Sequence, residues 1–452
     1  MGFHCAHQNP PLADAVHALS RKAEGERFTE FNNNQKVSEM GALTGYRVLD
    51  LSRVLAGPWC GQVLADLGAE VIKIERPHVG DDTRGWGPPW MKDDHGEPTL
   101  ESSYYQSTNR GKLSVALDLA TREGQELVRA LASDCDVLIE NYKAGSLAKY
   151  GLDYQTLSQL NPRLVYCSVT GFGQTGPRAS EPGYDFIIQG IGGLMSITGE
   201  RDDLPGGGAQ KVGVAFSDLM TGLYSTVAIQ AALLSRQQTG LGQHIDMALL
   251  DVQVATLCNQ SQNYLASGKP PGRYGNAHAN IVPYQVFKAK DGDFIIACGN
   301  DSQFRDLCDA IGLPELSKDS RFARNTDRVN NRQAIVEILS SHFLTDSTQS
   351  WVSKIHPRGV PVGAINDIAT ALAEPQVTAR EMVVTIPHPK KADFVTVGSP
   401  IKLSRTPVEY LRPAPMLGEH TDTVLRERLG LSETQLAELK SRGVIEQSDA
   451  GA

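Results

Sequence analysis

The chain predicts an α/β protein with a mostly parallel sheet, and three observations predict it. Short apolar runs recur at YRVLDL (46–51), EVIKIER (70–76), KLSVALDL (112–119), DVLIENY (136–142) and RLVYCSVTGF (163–172). Helical patterns separate these runs, and strands alternating with helices imply right-handed βαβ units. At 452 residues the chain is also too long for one ordinary compact core, so two domains are expected.

Taken in order, residues 1–40 lack an apolar signal core. They carry Asp14, Glu24, Glu26, Glu30 and Glu39, too acidic for a transit peptide. They read as a loosely held extension. After the first strand, SRVLAGPWCGQVLADLG turns at Gly57-Pro58 into a helix ending near Gly68. Thr121 is placed to cap the helix whose apolar face includes Leu127, Val128 and Leu131. Ligands of parallel sheets sit beyond the carboxyl ends of the strands. That directs attention to Ser52–Gly57, Arg76, Asn141–Tyr142 and Gly171–Gly176.

GVAFSDLMTGLYSTVAIQAALLSRQQTG (213–240) reads as a helix apolar most of the way round, and such a helix is usually buried. HIDMALLDVQVATL resumes a helix, and Gly268–Tyr284 is a Gly/Pro-rich connection. VFKAKDGDFIIACG (286–299) predicts a hairpin around Lys290-Asp291-Gly292. Helical segments follow to about Pro357, and a second domain is expected over roughly 250–375. With its linkers the division is 1–40, 41–245, 246–380 and 381–452. The tail holds a strand-like TVGSPIKLS, the turn LGEHTD and a polar helical end.

Composition narrows the function. A hydrophobic content of 40% and a charged content of 21% fit a soluble globular protein. The formal net charge of -9 argues against nonspecific nucleic-acid binding. The seven cysteines are scattered with no CxxC pair, so neither a disulfide framework nor a metal site is indicated. Buried thiols in a reducing compartment are expected. No run reaches the ~18 apolar residues of a spanning helix, and with no targeting signal a cytoplasmic location is expected.

GFGQTG (171–176) matches a dinucleotide fingerprint, but Pro177 and Pro182 interrupt the helix that fingerprint requires. Gly206–Gly208 reads as a surface turn. No GxSxG or HExxH pattern occurs, and no histidine lies between His95 and His244. The commonest proton carrier is thus missing from the central sheet region. His278 and His420 read as hydrogen-bonded structural histidines. Arg76, Arg110, Lys112 and Lys149 stand at or near strand ends, where several basic groups would suit a polyphosphate.

One carboxylate, Asp218, sits in the first turns of the apolar helix. A lone charge there costs several kcal/mol or shifts its ionisation. It is either a cap or ion-pair member, or a reactive group.

VLDLSRVLAGPWCGQVLADLGAEVIKIERP, GDDTRGWGPP, STNRGKLSVALDL, DVLIENY, SVTGFGQTGP, PGYD, FSDLMTGLY, TGLGQHIDMALLD and LGEHTD together resemble the class III (CaiB/BaiF-like) CoA-transferase family. GDDTRGWGPPW, RYGNAHANIVPYQVFKAKDG and FRDLCDAIGLPEL most resemble its branch acting between succinyl-CoA and glutarate. The resemblance implies a Rossmann-like large domain built from both chain ends, a smaller inserted α+β domain and an interlocked homodimer. It implies that Asp218 is the nucleophile. It implies that Leu55 and Ala56 line the thioester end of CoA, that Arg76 contacts the nucleotide, and that Leu117, Asp118, Leu119, Ala120, Asn141, Tyr142, Lys143 and Lys149 line the rest. CoA enters as substrate, with no permanent cofactor. Two departures from the formyl-CoA branch stand out: NAHANIVPY replaces a glycine run, and Leu55 replaces a glutamine. Arg273 or His278 could anchor a dicarboxylate. Asp185 is expected as a positioning residue beside the pocket. A racemase on the same fold is the nearest rival, yet it needs a histidine that Tyr150–Arg163 does not contain. A CoA-binding protein without catalysis is the other alternative.

Overall fold

The computed structural model describes residues 41–448, so the expected extension over 1–40 lies outside the described residues. The chain divides into two compact units. The first takes the described parts of Met1–Gly192, Gly213–Thr256 and Arg380–Ala452, and the second takes Gly193–Val212 and Leu257–Ala379. The domain boundaries expected from sequence therefore move. The second unit begins at Leu257 rather than 246, and it also takes Gly193–Val212.

The first unit is built on a seven-stranded sheet. Its strands are β1 (Arg47–Asp50), β2 (Glu70–Glu75), β5 (Lys112–Leu117), β6 (Val137–Glu140), β7 (Val165–Thr170) and β8 (His244–Ala248), with a short antiparallel strand Ile445–Glu446 along β5. A small hairpin, β3 (Trp90–Lys92) and β4 (Pro98–Ser102), lies between β2 and β5 in the chain. Across the sheet the order from that terminal strand runs β5, β2, β1, β6, β7, β8, with these six parallel. From β1 the chain first builds outward through β2 and β5. It then returns to β6 on the other side. The crevice between the carboxyl ends of β1 and β6 is thus the switch point where ligands of such sheets bind.

The apolar runs form strands because both sheet faces are covered. Leu49, Ile72, Val115 and Leu138 pack under helix α2 (Arg122–Asp134) and the terminal Val424, Leu425 and Leu436. Val48, Val71, Val137 and Val165 alternate onto the other face, against α1 (Ala56–Asp66). Alternation of faces along each strand follows from the two-residue period. Thr121 caps α2, its hydroxyl accepting the Gly124 N–H at 3.0 Å. Helices α3 (Asp185–Ile191), α4 (Phe216–Thr239) and α5 (Leu249–Thr256) complete the elements that matter here.

Three expectations are corrected. His244–Ala248 is a strand, with Tyr166 opposite His244 and Thr170 opposite Ala248, and the helix starts only at Leu249. This strand is half-exposed at the sheet edge, so pairing with β7 rather than its own apolar content decides it. Helix α4 is not wholly buried: Val227 is 64% and Leu234 63% exposed, because only one of its sides meets α1 and the sheet. The strand expected at TVGSPIKLS ends at Val397, as the second arm of a hairpin Val383–His388/Lys391–Val397. Pro400, lacking an N–H, cannot extend the ladder.

The second unit has its own antiparallel sheet, β9 (Tyr284–Lys288), β10 (Asp293–Ala297) and β11 (Val362–Ala364), in the order β11, β10, β9. The turn falls at Lys290-Asp291-Gly292, with the Ala289 N–H donating to the Gly292 carbonyl at 2.8 Å. Phe287, Phe294, Phe343 and Trp351 form its aromatic core, with ring centroids 5.1–5.3 Å apart in edge contacts. Among the described residues no helix is long and apolar enough to cross a membrane.

Candidate active site

Asp218 is the third residue of α4, and the cap position before that helix is Ala215, which has no side-chain acceptor. The missing cap comes from another helix. Asp185 opens α3, and its Oδ1 accepts the Ser217 N–H at 2.8 Å and lies 3.4 Å from the Asp218 nitrogen. Gln189 Nε2 holds the other oxygen at 2.7 Å, and the Ser217 hydroxyl donates to Gln253 Oε1 at 2.7 Å. Asp185 therefore satisfies orphan amides of the α4 N-terminus.

Asp218 itself neither caps nor pairs: no basic residue forms an ion pair with it among the described residues. Burial, and next the charge of Asp185, push its carboxyl up to about 7. At neutral pH it is thus divided between acid and carboxylate. The carboxylate is poorly compensated, as an activated nucleophile is.

One turn further on, Gly222 brings α4 onto α1: a Cβ there would lie 2.6 Å from the Ala56 carbonyl oxygen. Only glycine permits that approach. It sets the Asp218 turn beside the start of α1, where Leu55 and Ala56 are buried and no side chain bonds the helix cap. Just before them, Val54 holds a φ of 73°. For a branched residue this is a backbone outlier costing on the order of 1–3 kcal/mol.

A cavity of about 180 Å³ opens beyond the carboxyl ends of β2, β5 and β6. It gathers Arg76, Leu117, Asp118, Leu119, Ala120 and Tyr142 from the residues singled out in the sequence, and adds Arg53 and Tyr150. Arg53 Nη1 is 2.8 Å and Arg76 Nη2 3.4 Å from the carboxylate of Asp82, so two half-exposed or exposed guanidinium groups converge there. Arginine forks of this kind suit phosphate oxygens. Lys149 is exposed, its Nζ 4.6 Å from the Tyr150 ring centre, and Lys143 is exposed just after Tyr142. Leu55, Ala56, Asn141 and Lys143 do not line this cavity. Asn141 instead bonds the backbone of Arg53.

Two basic residues expected near the ligand edge are structural. Lys112 lies at the opposite, amino end of β5. It is fully buried, donating to Asp50, the Pro58 carbonyl and Asn109, each at 2.9 Å. Arg110 is buried on Asp66, with 2.8 and 2.6 Å contacts. A cavity of about 150 Å³ beside Arg110 sits at the amino ends of the strands. The glycines of GFGQTG lie in a bend without a following helix, and Asp246 accepts the Gln174 N–H.

In the second unit Arg273 is already engaged. Its guanidinium meets Asp202, the Glu200 carbonyl and the Ser196 carbonyl. His278 Nδ1 accepts the Asn280 N–H at 3.0 Å. Arg332 holds the His278 and Ala279 carbonyls at 2.9 and 2.7 Å. His420 Nδ1 lies 3.3 Å from the Ser114 nitrogen, a structural contact. No group of acidic, histidine or cysteine side chains able to hold a metal occurs among the described residues.

Sequence reasoning missed Arg53, Val54, Tyr104 and the capping role of Asp185. The Tyr104 hydroxyl is raised to about 12 by burial and then by the charges of Asp218 and Asp185, which places it near both. Its only sequence signal was the run SSYYQS.

A desolvated carboxylate beside a helix start, at the ligand edge of a parallel sheet, is the site of an enzyme that transfers acyl groups through a covalent intermediate. The comparisons narrow this. Residues 43–421 match the sequence pattern of CoA-transferase family III. A succinate–glutarate CoA-transferase of Agrobacterium fabrum is 52% identical over 85% of this chain and 95% of its own. A succinyl-CoA:glutarate CoA-transferase of Homo sapiens is 42% identical over 90% of each chain. Among solved structures, a CAIB/BAIF family protein from Brucella suis has 49% identity and a TM-score of 0.76, covering 86% of this chain and all of that one. The chain belongs to CoA-transferase family III, and it is an enzyme that transfers CoA.

Proposed function

We propose that the chain moves CoA from succinyl-CoA to glutarate, with Asp218 as the nucleophile. The observation that carries this reading is Asp218 itself, partly desolvated at a helix start and without a cation. The Asp218 carboxylate attacks the thioester carbon, forming a mixed succinyl-aspartyl anhydride and releasing CoA thiolate. The thiolate attacks the aspartyl carbonyl, which expels succinate and leaves an aspartyl-CoA thioester. A glutarate carboxylate then attacks that thioester, giving a glutaryl-aspartyl anhydride and thiolate again. Return of thiolate to the glutaryl carbonyl yields glutaryl-CoA and frees Asp218. No proton moves in any step, which agrees with a site lacking a histidine.

Arg53 and Arg76 would hold the CoA phosphates, with Leu117–Ala120, Tyr142 and Tyr150 around the nucleotide. Binding that remote part helps align the reacting carbonyl. Backbone N–H groups at Leu55 and Ala56 would stabilise the oxyanion, each good donor contributing ~3–4 kcal/mol. A racemase would need a second proton carrier at Asp185, yet that carboxylate is occupied by the amides of α4 and by Gln189. The exposed apolar residues Phe186, Ile187 and Ile191 of α3 and Val227 and Leu234 of α4 support a homodimer that covers them. Free cysteines, five of the six described being buried, fit a reducing compartment such as the cytoplasm.

The test offers succinyl-CoA with labelled glutarate, oxalate and formate, and reads products by mass spectrometry. Glutaryl-CoA is expected from the wild type and none from Asp218→Ala, with CoA binding retained. Turnover surviving in Asp218→Ala removes Asp218 as nucleophile, and preference for another acid removes glutarate as acceptor.

A further inference from the structure

At the switch point of the sheet, β1 and β6 are joined by a side chain. The Leu51 N–H donates to the Ile139 carbonyl at 2.8 Å, the last backbone rung between the two segments. Beyond it, Asn141 Oδ1 accepts the Arg53 N–H at 2.9 Å, and Asn141 Nδ2 donates to the Arg53 carbonyl at 2.6 Å. One carboxamide thus stands in for a strand neighbour.

The next residue is Val54, in the left-handed region. Its N–H faces the Asp81 carboxylate, at 3.2 and 3.3 Å. Asp81 is buried and held in turn by Lys73 Nζ at 2.9 Å and by the Thr83 N–H and hydroxyl at 2.9 and 2.8 Å. Lys73 also donates to the Ser52 carbonyl at 2.8 Å. Three side chains from different segments therefore grip consecutive backbone groups from Ser52 to Val54. A loop that only joined β1 to α1 would place glycine at position 54. A strained branched residue persists where its surroundings over-determine it, and such strain clusters at functional sites.

We propose that Asn141 and Asp81 are positioning residues, clamping Val54 in its left-handed turn so that the amides of Leu55 and Ala56 stay aimed at the thioester carbonyl. This rests on the CoA-transferase reading, which puts those amides at the reacting end of CoA. Asn141 then acts through the backbone of Arg53 rather than by touching CoA. Fixed donors serve the transition state more than the ground state. Loosening the clamp lowers turnover and leaves CoA affinity in place.

The test combines Asn141→Ala, Val54→Gly and their double variant. Each is assayed for exchange of labelled succinate into succinyl-CoA, for CoA affinity by calorimetry, and for amide exchange of the peptide around 51–59. Asn141→Ala should lower kcat about 10- to 100-fold, the range of a misplaced catalytic donor. CoA Kd should stay within about twofold, and peptide 51–59 should exchange faster. Glycine takes a positive φ at no steric cost. Val54→Gly alone should therefore cost less than about fivefold, and the double variant should regain about tenfold over Asn141→Ala.

Unchanged kcat in Asn141→Ala, or a double variant no better than it, overturns the clamp. A loss confined to CoA Kd also overturns it and makes Asn141 a direct CoA ligand. If Asn141→Ala does not fold, the double variant is compared with wild type; it should fold and retain turnover within about tenfold, and failure to do so counts against the clamp. A wild type that exchanges no succinate brings down the transferase reading and the clamp with it, whereas an active wild type with an indifferent Asn141→Ala brings down the clamp alone.

Discussion

Replacing Asp185 with asparagine separates the two things its carboxylate does. Asparagine keeps an acceptor for the Ser217 N–H, now at 2.8 Å, but removes the negative charge that faces Asp218. The Asp218 carboxyl rises from 3.8 to about 7 through burial first and Asp185 second. Removing the smaller cause leaves more than half of that rise in place. The midpoint of the kcat profile, near pH 7 in the wild type, should therefore fall by about one pH unit, or ~1.4 kcal/mol, and remain above about 5. The sign is fixed because the ionised form attacks: activity rises as pH climbs through the Asp218 midpoint. Asp185→Asn should then be relatively faster than wild type at pH 6 and no faster at pH 8.5. Asp185→Ala also loses the cap and should lower stability by ~1 kcal/mol, which the asparagine variant largely keeps. Initial rates of exchange across pH 5–9, with thermal midpoints at each pH, check this. A profile that does not move, or moves upward, refutes the account of why Asp218 is raised.

Three other perturbations follow from the same geometry. Asp218→Asn should stabilise the fold at pH 8 by on the order of 2 kcal/mol and give little gain at pH 4: a carboxyl raised in the fold is penalised progressively as pH rises from 3.8 through about 7, and urea titrations at both pH values measure it. Gly222→Ala would ordinarily gain ~1 kcal/mol inside a helix, but here the methyl meets the Ala56 carbonyl oxygen at 2.6 Å. A net loss of ~1–3 kcal/mol with reduced exchange is expected, from chemical denaturation and kinetics. Arg53→Ala and Arg76→Ala should each weaken CoA by ~1–2 kcal/mol while leaving the affinity for CoA-free pantetheine thioesters unchanged, read by competition binding.

Part of the site was legible because it depends on local order. Asp218 stood out as a charge inside an apolar helical run, and Arg76, Asp118 and Tyr142 stood out by following strands. Lys112 and Arg110 show the limit of that logic. They too flank a strand, yet the register that sets Val71 opposite Lys112 puts them at the amino end, buried on Asp50 and Asp66. Position along a strand says nothing about which end faces the ligand until strand direction within the sheet is known. Likewise β8 looked helical because its five residues carry no pattern stronger than that of the helix they adjoin.

What the chain determines by itself is the succession of elements and the reactive group: the period of its apolar residues selects strand or helix, and an isolated carboxylate declares itself by its neighbours in sequence. What only the tertiary structure decides is how that group is supplied with its environment. Asp185, 33 positions away from Asp218, caps the helix and raises its carboxyl. Asn141, 88 positions from Arg53, splices two strand ends. Such contacts join residues whose separation along the chain carries no period, so no local pattern encodes them. They arise only when the sheet brings the carboxyl ends of β1 and β6 together and α4 settles against α1.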